Sequence, residues 1–266
     1  MISSSMAAQT IDQVLEALDG IILRAWESRS RMGYFAALYR RVTQAVKDGI
    51  GQGRFQNGPL METLDVVFAS RYLDAVNQFQ KGEQPTASWL VAFKAVSDSA
   101  PLVLQQLLAG MNAHINLDLG IASVEVAPGA HILTLRADFF QINQVLSDQV
   151  SAVEQEMGEI SPLIHLLEDL NLRTTTQIIN FNVDVARDLA WAFAMRMAVT
   201  PNALWPASIA AKDAETALFG HTLVHPGPGI DLLLAPIRLK ESDDIQRNIE
   251  VLAGQTPASA TAGTSV

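Results

Sequence analysis

No cysteine occurs among the 266 residues, so disulfides, thiolate nucleophiles and Cys-ligated metals are excluded, and the chain is compatible with a reducing compartment. Charge is sparse too. Charged residues make up 17% of the chain and hydrophobic ones 49%, which leaves ample apolar surface to offset chain entropy and predicts a thick core. The net charge of -10 comes from scattered Asp and Glu, which disfavours nucleic acid and anionic lipid as partners. No apolar run reaches the roughly 18 residues of a membrane span, and Met1 to Met6 lack the basic and apolar regions of a signal peptide. The expectation is a cytoplasmic protein with no membrane span. Strand signals are equally poor, the best being the short, isolated stretch from His131 to Leu135.

What the chain does have is helical periodicity. Thr10 with Gln13 forms a capping-box pattern, followed by Ile11, Val14, Leu15, Leu18, Ile21 and Ile22 on one stripe. A second stripe runs from Tyr34 to Val46 and breaks at Gly49, Gly51 and Gly53. A third starts at Pro59, a residue suited to a first helical position, and continues through Leu64, Phe68 and Tyr72 to Phe79. Pro85 precedes a short helix with Trp89 and Phe93 inward, and Pro101 precedes Leu102 to Leu119, which is apolar nearly all round. Such a helix belongs in the middle of a bundle. Asp138 is expected to cap a helix running to about Gly158, Ser161-Pro162 to restart the chain toward Asn171, and Thr174 to Thr200 to form one long helix. Beyond Pro201, short helices are expected near Ala207 to Phe219 and Ser242 to Leu252. With no repeat and no long linker, the chain reads as one all-α domain over 1–253, a multi-helix bundle around a central apolar helix, with a disordered tail over 254–266.

Chemistry-bearing residues concentrate in that most apolar helix. At about 100° per residue, His114 and Asp118 share an edge with Leu104, Leu107, Met111 and Ile115, whereas Asn112 and Asn116 project from nearly the opposite side with Gln105. A His and a carboxylate one turn apart can share a divalent metal ion, or the carboxylate can orient the imidazole as a general base. They can equally be a buried pair that ties helices together. Asn180, Asp184, Arg187 and Trp191 form a second ridge, with Asp188 beside it. There Arg187 can bridge Asp184 and stack on Trp191, and the whole face is expected to turn toward the central helix. Arg187 between Asp184 and Asp188 argues against a cation held by those two acids. His221 and His225 have metal-ligand spacing, but Pro226 and the following Gly-Pro-Gly favour a surface or loop role; His131 and His165 carry no accompanying pattern. Asp138, with Gln141, is most simply an N-cap. A phosphate loop, a Gly-x-Ser-x-Gly elbow and the repeated Glu-x-x-His of di-iron bundles are all missing.

The run Gly110-Met111-Asn112-Ala113-His114-Ile115-Asn116-Leu117-Asp118-Leu119, together with Phe68-Ala69-Ser70-Arg71-Tyr72-Leu73, Asp138-Phe139, Asn143 and Arg187 to Trp191, resembles the bacterial DUF5995 family of uncharacterised helical proteins. The resemblance spans roughly Thr10 to Phe219 and implies a shared helical fold without implying an activity. From the residues, the leading expectation is a metal-dependent hydrolase acting on a small molecule. In it His114 and Asp118 serve as catalytic and metal-binding groups, and Asn112, Asn116, Asp138, Arg187 and Trp191 orient the substrate. The alternatives are a non-catalytic binding protein for a small, partly apolar ligand, and a purely structural polar cluster.

Overall fold

The computed structural model describes residues 8–166 and 182–254. The described residues form helices joined by turns and short loops, with no strand among them. In chain order the helices are α1 (Ile11–Glu27), α2 (Met32–Gly51), α3 (Gly58–Gln80), α4 (Ala87–Ser97), α5 (Val103–Ala113), a π-helical turn (His114–Leu119), α6 (Gly120–Val126), α7 (Ile132–Ile160), α8 (Val183–Val199), α9 (Trp205–Val224), α10 (Pro228–Arg238) and α11 (Ile245–Leu252). The all-α class expected from periodicity holds.

Local chemistry accounts for most helix starts. The Thr10 side chain accepts from the Gln13 amide to open α1, Asn57 does the same for Leu60 ahead of Pro59 in α3, and Asn182 caps α8 through the amides of Asp184 and Val185. The helix expected to start at Asp138 begins instead at Ile132, after a short 3₁₀ turn at Gly129–His131, and takes in most of the weak strand signal from His131 to Leu135. Asp138 is therefore inside α7 and caps nothing at its own helix start. Its two carboxylate oxygens accept from the amides of Gln56 and Asn57, each at 2.7 Å, and fasten the loop that leads into α3. The expected helix at Ala207 to Phe219 is longer, as α9. One helix was not expected at all: α10 starts on Pro228 and tolerates Pro236 near its end. The residue whose carbonyl Pro236 leaves unbonded, Leu232, is 75% exposed, so water can serve that carbonyl. Asn180, the start of the expected helix from Thr174, the end of the segment toward Asn171 and the expected tail from 255 onward lie outside the described residues.

The stretch from Val103 to Val126 is the centre of the molecule. Leu107, Ala109, Ala113, Leu117, Leu119, Ile121, Ala122 and Val124 along it are buried, and every hydrophobic cluster of the core includes residues from it or from Leu102 just before it. Both α3 and α8 pack on its π turn and on α6, while α4 and α9 pack on α5. Two polar contacts set α4 in place. The Asp213 carboxylate of α9 accepts from the amides of Ala87 and Ser88 at 2.7 and 2.9 Å, and this start fixes the inward angle of Trp89.

Candidate functional site

The π turn interrupts the central helix at the motif singled out above, His114 to Leu119. Wider turns of this kind are rare, weaken the usual hydrogen-bond ladder and occur frequently where side chains have to be re-aimed for function. Here the turn carries His114 and Asp118, which are 2% and 1% exposed. Both point into the space between α2, α3 and α4.

Asp118 is the best-satisfied group in that space. One carboxylate oxygen accepts from Arg71 Nε of α3 at 2.8 Å, and the other accepts from Trp89 Nε1 of α4 at 2.7 Å. The Arg71 side chain is 24% exposed and also lies 3.9 Å from Glu125, so one guanidinium links the buried carboxylate to the surface. His114 Nδ1 lies 3.5 Å from the oxygen already engaged by Trp89. That is the outer limit of a hydrogen bond. It suffices to place the proton on Nδ1, because the only group facing that nitrogen is an acceptor, and it leaves Nε2 as a bare acceptor.

Around the imidazole the walls are aromatic. Phe68 stacks on it with ring centres 3.6 Å apart, Tyr39 meets it edge-on at 4.5 Å, and Phe35, Trp89 and Tyr72 stand at 5.8, 5.8 and 6.2 Å. Burial in this apolar nest lowers the pKa of His114, outweighing the pull of Asp118 in the other direction. The ring is neutral at physiological pH. Among the described residues His114 Nε2 has no hydrogen-bond partner, and the same is true of three further buried atoms on the helices that face it: Tyr39 Oη and Thr43 Oγ1 of α2, and Asp65 Oδ2 of α3. Burial pushes the Tyr39 pKa well above its ordinary value; Thr43 pulls weakly the other way, although no bond of ordinary geometry joins the two hydroxyls. On the α4 side, bordered by Phe35, Tyr72, Trp89, Gln106 and Gly110 and by none of these four residues, lies a cavity of about 20 Å³. A space of that size holds about one water.

The other residues expected at the site are elsewhere. Asn112 donates to the Thr216 carbonyl at 2.8 Å, Asn116 donates to Asn112 at 2.9 Å, and Gln105 donates to the Leu223 and Val224 carbonyls. This opposite edge of the helix ties it to α9, as its angular position suggested. Arg187 is buried but faces α7: its Nε donates to Asn143 at 2.5 Å, another nitrogen donates to the Phe139 carbonyl, and the guanidinium lies 4.6 Å over the Phe139 ring. It neither pairs with Asp184 nor stacks on Trp191. Burial holds its pKa down to about 10 while Asp184 and Asp188 of its own helix, both exposed, pull the other way. Trp191 packs on Phe139 and Phe140 at 4.9 and 5.8 Å. The face of α8 that meets the π turn and α6 is the one bearing Ala190, Phe193, Ala194 and Met197. His221 and His225 are exposed with ring centres 4.8 Å apart, and His131 and His165 are exposed as well.

A divalent metal does not fit the central pair. Both oxygens of Asp118 are engaged by N–H donors, one of them on a cation that would repel a second cation, and His114 offers only one further ligand atom. Among the described residues no three His, Asp or Glu side chains gather as a metal site would require. The partners that define the site, Arg71 and Trp89, come from other helices at separations of 47 and 29 residues. Arg71 did stand in the resemblance motif around Phe68 and Tyr72; nothing in single-helix periodicity could pair it with Asp118.

The chain is thus an all-α multi-helix protein with a π turn in its central helix and an Arg-Asp-Trp-His cluster at that turn. The chain belongs to the family of unknown function DUF5995, whose model matches residues 11–226. No curated protein and no solved structure matches the chain. Among the described residues no helix is long and apolar enough to cross a membrane.

Proposed function

We propose that this protein binds a small, partly apolar molecule in the aromatic nest between α2, α3 and the π turn, with His114 Nε2 accepting a hydrogen bond from it. The observation that carries this reading is the unpartnered Nε2. An unsatisfied buried polar atom costs about 1 to 3 kcal/mol, and a Phe at this position would meet Phe68, Tyr39 and Phe35 without that cost. A core selected for stability alone has no use for the imidazole, whereas a binding site trades stability for an acceptor that a ligand completes. Asp118, locked by Arg71 and Trp89, holds the ring in the tautomer that exposes the acceptor. General-base chemistry draws on the same arrangement, since a neutral imidazole with Nδ1 protonated takes a proton at Nε2.

The test is a thermal-unfolding screen of the full chain against small alcohols, phenols and amines, run in parallel on wild type and His114→Phe. The expected result is a probe that raises the melting temperature of wild type but not of the variant, while the variant without ligand melts at the same temperature or higher. A variant that loses more than about 2 kcal/mol and a wild type that responds to no probe would identify His114 as a structural residue and end this reading.

A further inference from the structure

The four unpartnered atoms are not chemically alike, and one of them points to the class of ligand. Asp65 is 7% exposed and sits on α3, one turn before Phe68. Asp118 has its guanidinium; among the described residues Asp65 has no salt-bridge partner and one oxygen with no hydrogen bond. The groups around it are acidic or neutral. On its own helix Glu62 adds a second negative charge, with its carboxylate accepting from the Ile11 amide at the start of α1. From α2 come Tyr39 and Thr43, both with unbonded hydroxyls, and past Tyr39 the central helix presents His114 and Asp118. Lys47, one turn beyond Thr43, is drawn to Asp12 of α1. Arg71, further along α3, is committed to Asp118 and Glu125. The compartment thus holds acceptors, aromatic faces and a carboxyl group with no counter-ion.

We propose that the ligand is a small protonated amine, with Asp65 as its counter-ion, Tyr39 and Phe68 as the ring faces it lies against, and His114 Nε2 and the Thr43 hydroxyl as hydrogen-bond acceptors for its N–H groups. This rests on the reading of His114 as a binding residue and goes beyond it by fixing the charge of the ligand. An ammonium group supplies what each orphaned atom lacks: donors for the nitrogen and the oxygens, a charge for the carboxylate, and a cation for π faces that attract one. An anion is disfavoured by Asp65, Glu62 and Asp118 together. A neutral alcohol satisfies the acceptors but leaves the carboxyl without a counter-ion, so it binds without coupling to the ionisation of Asp65. In the free protein burial pushes the Asp65 pKa up to about 7, with Glu62 adding to the shift. Amine binding therefore displaces a proton from Asp65 when the pH is below that value.

The experiment compares methylamine and isobutylamine with methanol and isobutanol, and with potassium chloride at matched ionic strength. It reads the shift in melting temperature and the affinity by calorimetry between pH 5.5 and 8, on wild type, Asp65→Asn and His114→Phe. Amines should stabilise wild type, bind roughly tenfold more weakly for each pH unit below 7, and lose that pH dependence and most of their affinity in Asp65→Asn. Alcohols binding wild type more tightly than amines, with the effect lost in His114→Phe but kept in Asp65→Asn, would overturn the amine assignment and leave the His114 site standing. Potassium chloride matching the amines would also overturn it, in favour of a simple cation. No response to any probe would bring down both.

Discussion

Asp118 shows how a single side chain can be indispensable to the fold while its neighbour is not. Removing one partner of a buried ion pair strands the other, at a cost of about 3 to 5 kcal/mol, and Trp89 Nε1 loses the Asp118 oxygen to which it donates at the same time. Asp118→Ala should therefore lower the stability measured by urea unfolding by that amount, and Asp118→Asn, which keeps an acceptor for Trp89, by less. A loss under about 1 kcal/mol for the Ala variant, the scale of a solvated pair, would mean that Arg71 is compensated by water and Glu125 instead. The contrast with His114, whose replacement by Phe is expected to be neutral or stabilising, divides the cluster into a supporting part and a receiving part. From sequence, the shared edge of His114 and Asp118 and the opposed edge of Asn112 and Asn116 were legible because angular position on one helix depends only on spacing. Which edge received Arg71 and Trp89 was not, because long-range pairing is set by how α3 and α4 dock. Arg187 marks the same boundary. That it is buried followed from its neighbours on the helix, but its partners Asn143 and Phe139 belong to α7, and the nearer-looking Asp184 and Trp191 were the wrong ones.

At the level of elements, the starts of α1 and α3 could be read from Thr10 and Pro59, which act within one turn of themselves, whereas α2 starts at Met32 with no side-chain cap. Pro236 is a local signal of the opposite kind: by itself it breaks a helix, but near the end of α10 it forfeits little that water cannot replace. The π turn had no local signal of its own. It is bracketed by Gly110 and Gly120, and both are places of close approach. A Cβ at Gly110 would lie 2.7 Å from the Phe35 ring of α2, and one at Gly120 would lie 2.7 Å from Phe193 and 2.9 Å from the Ala190 carbonyl of α8. These glycines let α2 and α8 clasp the central helix at either end of the wider turn. Gly120→Ala offers a helix-propensity gain of up to about 1 kcal/mol, but the backbone oxygen it meets cannot rotate away as a side chain would, and overpacking costs about 1 to 3 kcal/mol. The expected net result is a loss of about 1 to 2 kcal/mol in urea unfolding. A gain would show that α8 slides off the π turn freely and does not hold it.

For the molecule as a whole, pH is the variable that separates the two buried groups, because their shifts act on folding with opposite sign. The Asp65 pKa is raised from 3.8 to about 7 in the folded state, so between those values the native protein binds the proton that the unfolded chain releases. Stability from this group is complete below about pH 4 and declines as pH rises, by about 4 kcal/mol once both states are ionised. The half-buried carboxyls of Glu156 and Glu241, likewise raised by desolvation, push in the same direction. His114 works against them. Its pKa is lowered on folding, so below the ordinary value of 6.5 the unfolded chain takes up a proton that the native protein refuses, and stability is lost as pH falls. Below 6.5 the two residues act against each other, which makes the wild-type profile a poor witness to either. Single variants separate them. Measured by urea unfolding from pH 4 to 8, Asp65→Asn should gain on wild type steadily as pH rises, levelling off above about 7, whereas His114→Phe should gain on wild type as pH falls below 6.5. Parallel profiles for all three proteins would mean that water reaches both groups in the native state, and the dry compartment on which the binding site and its amine both depend would not exist.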